Sequence, residues 1–243
     1  MQRYFIEKKD QEYWYLQDDD IHHCKKVMRS NQGDHVIAID QNQNIVEAKI
    51  TNLDIGQLQV IKAIDENNEC DLKITLIYAM PKGDKFEFVL QKATELGVHK
   101  IIPIQTKRCV VKLDQQKFQK KKQRFNKILK EASEQSYRNQ IPHLEQLQTI
   151  QTLHPFLSEN SLVAYEETAK EGCSKNFIST LKQLQPNDEI TIIVGSEGGF
   201  EESEIEQLEQ YGVKRCSLGK RILRSETAPL YMLSVITFMR EEI

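Results

Sequence analysis

The stretch LKITLIYAM at 72–80 narrows the choice of fold more than any other part of the chain, because it is apolar almost without a break. A strand with one wet face alternates polar and apolar side chains, whereas a strand lacking that alternation is covered on both faces. The cover follows at once. After KGD at 82–84, Phe86, Val89, Leu90, Ala93 and Leu96 recur at helical spacing, and Gly97 predicts the stop. HKIIPIQ reads as the next strand. A long helix is expected from Gln115 to Tyr137, with Phe118, Phe125, Ile128, Leu129 and Ala132 as its apolar stripe and a lysine-rich opposite face. SLVAYE (161–166), EITIIVG (189–195) and VKRCSLG (213–219) read as three further strands. Strands alternating with helices imply an α/β domain around a mostly parallel sheet.

The first seventy residues follow a different period. A short strand at Arg3 to Ile6 leads to a helix opened by Asp18–Asp20 and running through HHCKKVMR. Then come HVIAID, IVEAKIT and QLQVIKAI, separated by QNQN and DIG turns. Short strands so spaced predict a small barrel. ENNEC at 66–70 reads as the linker, which gives domains at 1–70 and 71–243.

Of the 243 residues, 39% are apolar and 28% charged, which excludes a disordered chain. No apolar run reaches the roughly 18–20 residues of a membrane span. The opening MQRYFIEKKDQEYW lacks the pattern of a signal peptide, so a cytoplasmic protein is expected. Five scattered cysteines with no CxxC pair predict neither a disulfide framework nor a metal site. Net charge is −3, but it is unevenly spread: residues 100–140 carry a local balance of +9 and residues 186–212 one of −8. A basic zone on a mildly acidic protein suits a phosphate-binding face, and equally a solvated helix face.

Two loops near the C-terminus carry the chemistry. VGSEGGF (194–200) leads from a buried strand through Gly195, Gly198 and Gly199 into a helix with acids in its first turn. Such glycines allow a sharp turn and a close approach to a ligand at the carboxyl end of a parallel strand, or simply a tight turn. The loop is not GxGxxG and lacks a P-loop lysine, which argues against a dinucleotide oxidoreductase. LGKRILRSETA (218–228) packs Lys220, Arg221 and Arg224 around Ile222 and Leu223, just before a helix that is apolar on every side. Ser225 is expected to cap that helix; capping leaves the two arginines unexplained. A helix apolar all round is either fully internal or shared with a second subunit.

With KGDKFEFVLQKATELGV (82–98) and EASEQSYR (131–138), these two loops make the chain resemble the ribosomal RNA small subunit methyltransferase E family. That family belongs to the SPOUT class of S-adenosylmethionine-dependent enzymes. The resemblance implies an N-terminal PUA-like β-barrel that binds RNA and a C-terminal SPOUT α/β domain with a trefoil knot. It implies S-adenosylmethionine between Gly195, Ser196, Glu197 and Gly199 on one side and Leu218, Gly219, Ile222, Leu223 and Arg224 on the other. It also implies a homodimer acting on N3 of one uridine in 16S ribosomal RNA, with no metal and no membrane. Ser196 stands where the family usually has proline. Removal of the N3 proton leaves an anion, so Arg224, with Arg221, is the expected stabiliser, and Glu197 or Glu226 the orienting group. An ion pair between Arg224 and Glu226 is the competing expectation. RNA contacts are expected from charge, at Arg3, Arg29, Lys82, Lys85, Lys107, Arg108 and Arg138; His22 and His23 are expected to be packing or surface residues rather than a base. An assembly factor that binds RNA without chemistry is the alternative function.

Overall fold

The computed structural model describes residues 1–10, 12–165 and 175–241, so Glu166 at the end of an expected strand and Cys173 lie outside the described residues. Two units emerge: Met1–Glu69 with Ser133–Gln140, and Cys70–Ala132 with Ile141–Ile243.

In the first unit, strands β1 (Arg3–Ile6), β2 (Lys8–Lys9), β3 (Tyr13–Tyr15), β4 (His35–Asp40), β5 (Ile45–Asn52) and β6 (Gln57–Ile64) form one sheet in the order β1-β4-β5-β6-β3-β2. It curls into a nearly closed barrel. Alternation sends Tyr4, Ile6, Val36, Ala38, Val46, Ala48, Ile50 and Leu58 into one core with Trp14. Gly56 is forced: its φ is +64°, and a Cβ there would meet Ile21 and Leu16 side-chain atoms at 2.8–2.9 Å. The helix expected through HHCKKVMR begins as α1 (Asp18–His23) and then widens into a π-helical turn over Cys24–Met28. Cys24 is thereby buried, its thiol donating to Tyr4 Oη at 3.1 Å.

Residues 66–69 are far from a loose tether. Glu69 accepts from Arg138 Nε (3.2 and 3.3 Å), the Asn139 N–H (2.8 Å) and Gln140 Nε2 (3.1 Å), while the Asn68 N–H donates to Asn139 Oδ1 at 3.0 Å. Burial pushes the Glu69 carboxyl up, but the Arg138 guanidinium and the amide donors outweigh it and hold the group below the usual range.

In the second unit, β7 (Lys73–Ala79), β8 (Lys100–Ile104), β9 (His143–Leu144), β10 (Asn160–Ala164), β11 (Glu189–Val194) and β12 (Lys214–Cys216) form an entirely parallel sheet in the order β12-β10-β11-β7-β8-β9. β7 lies inside it, between β11 and β8, and its Ile74, Leu76 and Ile77 are fully buried. Each such side chain contributes about 1.5–3 kcal/mol over leaving it exposed. Helices α2 (Lys85–Glu95), α3 (Gln115–Gln135), α4 (Lys175–Leu181), α5 (Glu202–Gln210) and α6 (Thr227–Glu241) accompany the strands. Phe86 of α2 meets Phe125 of α3 edge to face, with ring centroids 5.0 Å apart. Gly97 takes a φ of +81° directly after α2, where the sequence placed the stop.

Two helix ends differ from expectation. α3 stops at Gln135 because Tyr137 adopts a left-handed φ of +62°, which no right-handed helix can pass. α6 begins at Thr227, and Ser225 does not cap it: the Ser225 hydroxyl donates to Glu226 Oε2 at 3.1 Å. No helix among the described residues is long and apolar enough to cross a membrane.

Candidate functional site

In a parallel sheet every strand ends on the same side, so the loops after β10, β11 and β12 converge. After Val194 the chain turns within four residues, closed by the Gly199 N–H donating to Ser196 O at 2.9 Å. Gly195 has no room for a side chain: a Cβ would lie 3.1 Å from Gly199 Cα and from the Phe200 ring. Gly198 has less, since a Cβ would sit 2.8 Å from Arg108 O. Gly199 is the reverse case, with φ +65° and nothing within 4 Å of a Cβ. After Cys216 the second loop passes Gly219, with φ +106° and equally open space.

The two loops enclose a cavity of about 530 Å³, a size that suits one cofactor-like molecule. Gly195, Ser196, Glu197 and Gly199 line it from one loop; Leu218, Gly219, Ile222, Leu223 and Arg224 line it from the other. Its residents are complementary in kind. Ile222, 80% exposed, and Leu223 offer apolar surface, while the glycines offer bare backbone. Ser196 Oγ is buried and makes no hydrogen bond among the described residues, a polar atom left over for a ligand. Tyr78 Oη, buried on β7 and not part of the cavity lining, likewise makes no hydrogen bond among the described residues, and burial drives this hydroxyl far above its ordinary value. Ala164 and Tyr165 complete the lining from the end of β10. Sequence reading missed them, although the end of a parallel strand was the available signal.

Charge at the site is ordered by Lys85, from the first turn of α2. Its Nζ lies 2.9 Å from Glu197 Oε1 and 3.0 Å from Glu226 Oε2, so one cation clips the two loops together. Hydrogen bonding to both carboxylates raises the Lys85 pKa. Burial pushes Glu197 and Glu226 up, but Lys85 and nearby backbone N–H groups win, and both sit below the ordinary range. The expected pair of Arg224 with Glu226 is therefore not formed. Arg224 is exposed, and its guanidinium has no hydrogen-bond or ion-pair partner among the described residues. Lys85, expected as a phosphate contact, was missed as the clip; a lysine opening a helix gives no hint of partners more than a hundred residues away.

The remaining expected RNA contacts divide by burial. Arg3 and Arg138, 3% and 2% exposed, are paired with Glu66 and Glu69, so neither reaches a phosphate, and that expectation is corrected. Arg29, Lys82, Lys107 and Arg108 are exposed. Lys107 Nζ lies 3.1 Å from Glu201 Oε2, and Arg108 points toward Gly198 O at 3.5 Å. His23 is hydrogen-bonded to Tyr4 Oη at 3.0 Å, while His22 is exposed. Among the described residues no group of three or more His, Cys, Asp or Glu is arranged to hold a metal ion.

Comparison with known proteins agrees with this geometry. An RNA methyltransferase domain model matches residues 68–237, and an RNA methyltransferase PUA domain model matches residues 16–63. The chain is 40% identical to ribosomal RNA small subunit methyltransferase E of Bacillus subtilis, over 99% of this chain and 98% of that one. It is 32% identical to the protein of the same name from Mesomycoplasma hyopneumoniae, over 96% and 98%. A crystal structure of ribosomal RNA small subunit methyltransferase E from Neisseria gonorrhoeae bound to S-adenosyl methionine superposes with a TM-score of 0.85 at 30% identity, covering 98% of each chain.

Proposed function

This chain belongs to the ribosomal RNA small subunit methyltransferase E family, an RNA methyltransferase family, and from that premise we propose that it methylates N3 of one uridine in 16S ribosomal RNA with S-adenosylmethionine as donor. The observation that carries this reading is the unpaired Arg224 guanidinium in the lining of a cavity otherwise built for a cofactor. The residues present fit that cofactor. Gly199 and Gly219 leave backbone open to it, Ser196 Oγ is an unclaimed hydrogen-bonding atom, and Leu218, Ile222 and Leu223 suit a flat ring. When bound, it supplies a methyl group on a sulfonium, already a good leaving group.

The chain's own work is then to bring the base in line and to favour loss of its N3 proton. Arg224 would stabilise the uridylate left when the N3 proton passes to solvent, and the cofactor, when bound, would supply the methyl group to that nitrogen. Lys85 keeps Glu197 and Glu226 ionised and occupied, so neither carboxylate quenches Arg224. The base must leave its stack to reach the cavity. Exposed Arg29, Lys82, Lys107 and Arg108 hold the backbone phosphates, which makes RNA affinity fall steeply with salt.

The same reading includes a trefoil-knotted path around the cofactor, a cytoplasmic site of action and a homodimer. α6 supports the dimer: Ala228, Met232, Leu233 and Ile236 are buried, while Tyr231 and Phe238 stay 42% and 57% exposed. Arg224→Ala tests the function directly. We expect kcat to fall by about 10²–10³-fold, as when one stabilising donor is removed, with cofactor affinity nearly unchanged. In cells, N3 methylation blocks the pairing edge and stops reverse transcriptase on 16S ribosomal RNA. A stop that persists after deletion of the gene would overturn the assignment, and absence of S-adenosylmethionine binding at millimolar concentration would favour an assembly factor.

A further inference from the structure

Residues 133–140 hold an aromatic side chain that neither the fold nor the methyl-transfer site uses. Tyr137 is 50% exposed, yet its backbone is the most constrained on that segment, with a φ of +62° that a bulky residue rarely adopts. The conformation is enforced from behind. The Tyr137 carbonyl accepts from Arg3 Nη1 at 3.2 Å and from Asn68 Nδ2 at 2.9 Å. The Arg3 guanidinium lies 4.6 Å from the centre of the Tyr137 ring, and Arg3 itself is 3% exposed and ion-paired with Glu66. One face of the ring is thus backed by a buried cation, and Arg3 Nε is left buried without a partner among the described residues. Half of the Tyr137 surface remains exposed while Arg3 covers this face, which leaves the opposite face as the accessible one. A strained backbone held by the buried Arg3 guanidinium and by Asn68, ending in an exposed ring, is the pattern of a residue kept for contact rather than for packing.

We propose that the open face of Tyr137 is a stacking platform for one unpaired base of the bound RNA. Single-stranded RNA is recognised chiefly by stacking its splayed bases on aromatic rings, and a ring clamped from behind loses little freedom when a base settles on it. The buried guanidinium adds to this by drawing electron density from the open face, which favours an electron-rich purine. The proposal rests on the RNA methyltransferase reading, but concerns a contact in the first unit, apart from the cofactor cavity.

The test compares binding of oligoadenylate with an abasic oligonucleotide of equal length and charge, for the parent, Tyr137→Asn and Tyr137→Phe. Asparagine takes the left-handed conformation readily, so Tyr137→Asn removes the ring without adding strain. The parent is expected to bind oligoadenylate about tenfold or more tightly over the abasic strand, the range of one stacked base. Tyr137→Asn should lose that preference while its affinity for the abasic strand and its melting temperature hold; Tyr137→Phe should keep it. Equal affinities of parent and Tyr137→Asn for oligoadenylate, or a parent that does not distinguish the two strands, overturn the platform. A melting temperature that falls in Tyr137→Asn together with both affinities also overturns it, since the ring would then be structural. Methylation of 16S ribosomal RNA by the parent is measured alongside: if that is absent, the function has failed rather than the platform.

Discussion

The loops at 195–200 and 217–226 leave the same end of the sheet and face the same cavity, yet they are shaped by different parts of the chain. In the first, backbone contact decides. Gly195 and Gly198 press against Phe200 and Arg108 so closely that no side chain fits, and the turn closes on its own hydrogen bond. In the second, side chains decide. Lys220, Arg221, Ile222 and Arg224 are exposed, and the loop is fixed chiefly by the helix that follows it and by Glu226 reaching Lys85. A rigid wall facing a charged, open one is what a transfer reaction between a held donor and an arriving polymer requires. The cofactor needs a constant shape, whereas the RNA needs unsatisfied charge.

The contrast can be broken at graded points. Arg224→Ala is the largest functional effect and should leave the melting temperature unaltered, because its guanidinium makes no contact that holds the loop. Gly198→Ala should do the opposite. Its Cβ meets the Arg108 carbonyl oxygen at 2.8 Å and Arg108 Cβ at 2.9 Å, so we expect a loss of about 1–3 kcal/mol of stability, read by denaturant unfolding, and weaker cofactor binding by calorimetry. If Gly198→Ala melts like the parent, the first wall is not rigid. Lys85→Met comes next. Without the cation, Glu197 and Glu226 face each other across the loops, and the acid limb of the pH–rate profile should move to higher pH.

The smallest effect is one of pH on the parent's stability. Glu197 and Glu226 have depressed pKa values in the folded protein, so their contribution is complete above the ordinary carboxylate range and is lost as pH falls through the depressed values. The groups are partly exposed, and the loss is correspondingly modest. Melting temperatures recorded on acidification should drop further in the parent than in Lys85→Met; equal slopes would show that the clip contributes nothing.

The walls were legible in the sequence to different degrees. Continuous apolar runs and helical spacing located β7, α2, β8 and β11, because burial on both faces leaves a direct trace in residue type. The two loops that line the cavity are legible through GSEGGF and LGKRILR, whose order along the chain is specific, whereas Ala164, Tyr165 and the Lys85 clip are not. Charge was a poorer guide. Arg3, Arg138 and Arg224 look alike in sequence, and only the structure separates two buried, paired guanidiniums from a free one. Whether a cation is neutralised depends on partners brought from elsewhere: Glu69 lies 69 residues before Arg138, and no local pattern records that distance. Ser225 failed as a cap for a similar reason, since Glu226 took its hydroxyl first.

Glu204 closes the account of the first wall. This carboxylate, 4% exposed, accepts the Lys107 N–H at 2.9 Å through one oxygen and the Glu201 N–H at 2.9 Å through the other. Gly198 rests on Arg108 beside it. The strip that carries two exposed cations and the turn that faces the cavity are therefore one mechanical body. A ligand that orders the strip is expected to order the turn as well, and any such coupling acts equally in both directions. Occupancy of the cavity and grip on a polyanion are then expected to strengthen each other, with Glu204 as the side chain that joins them.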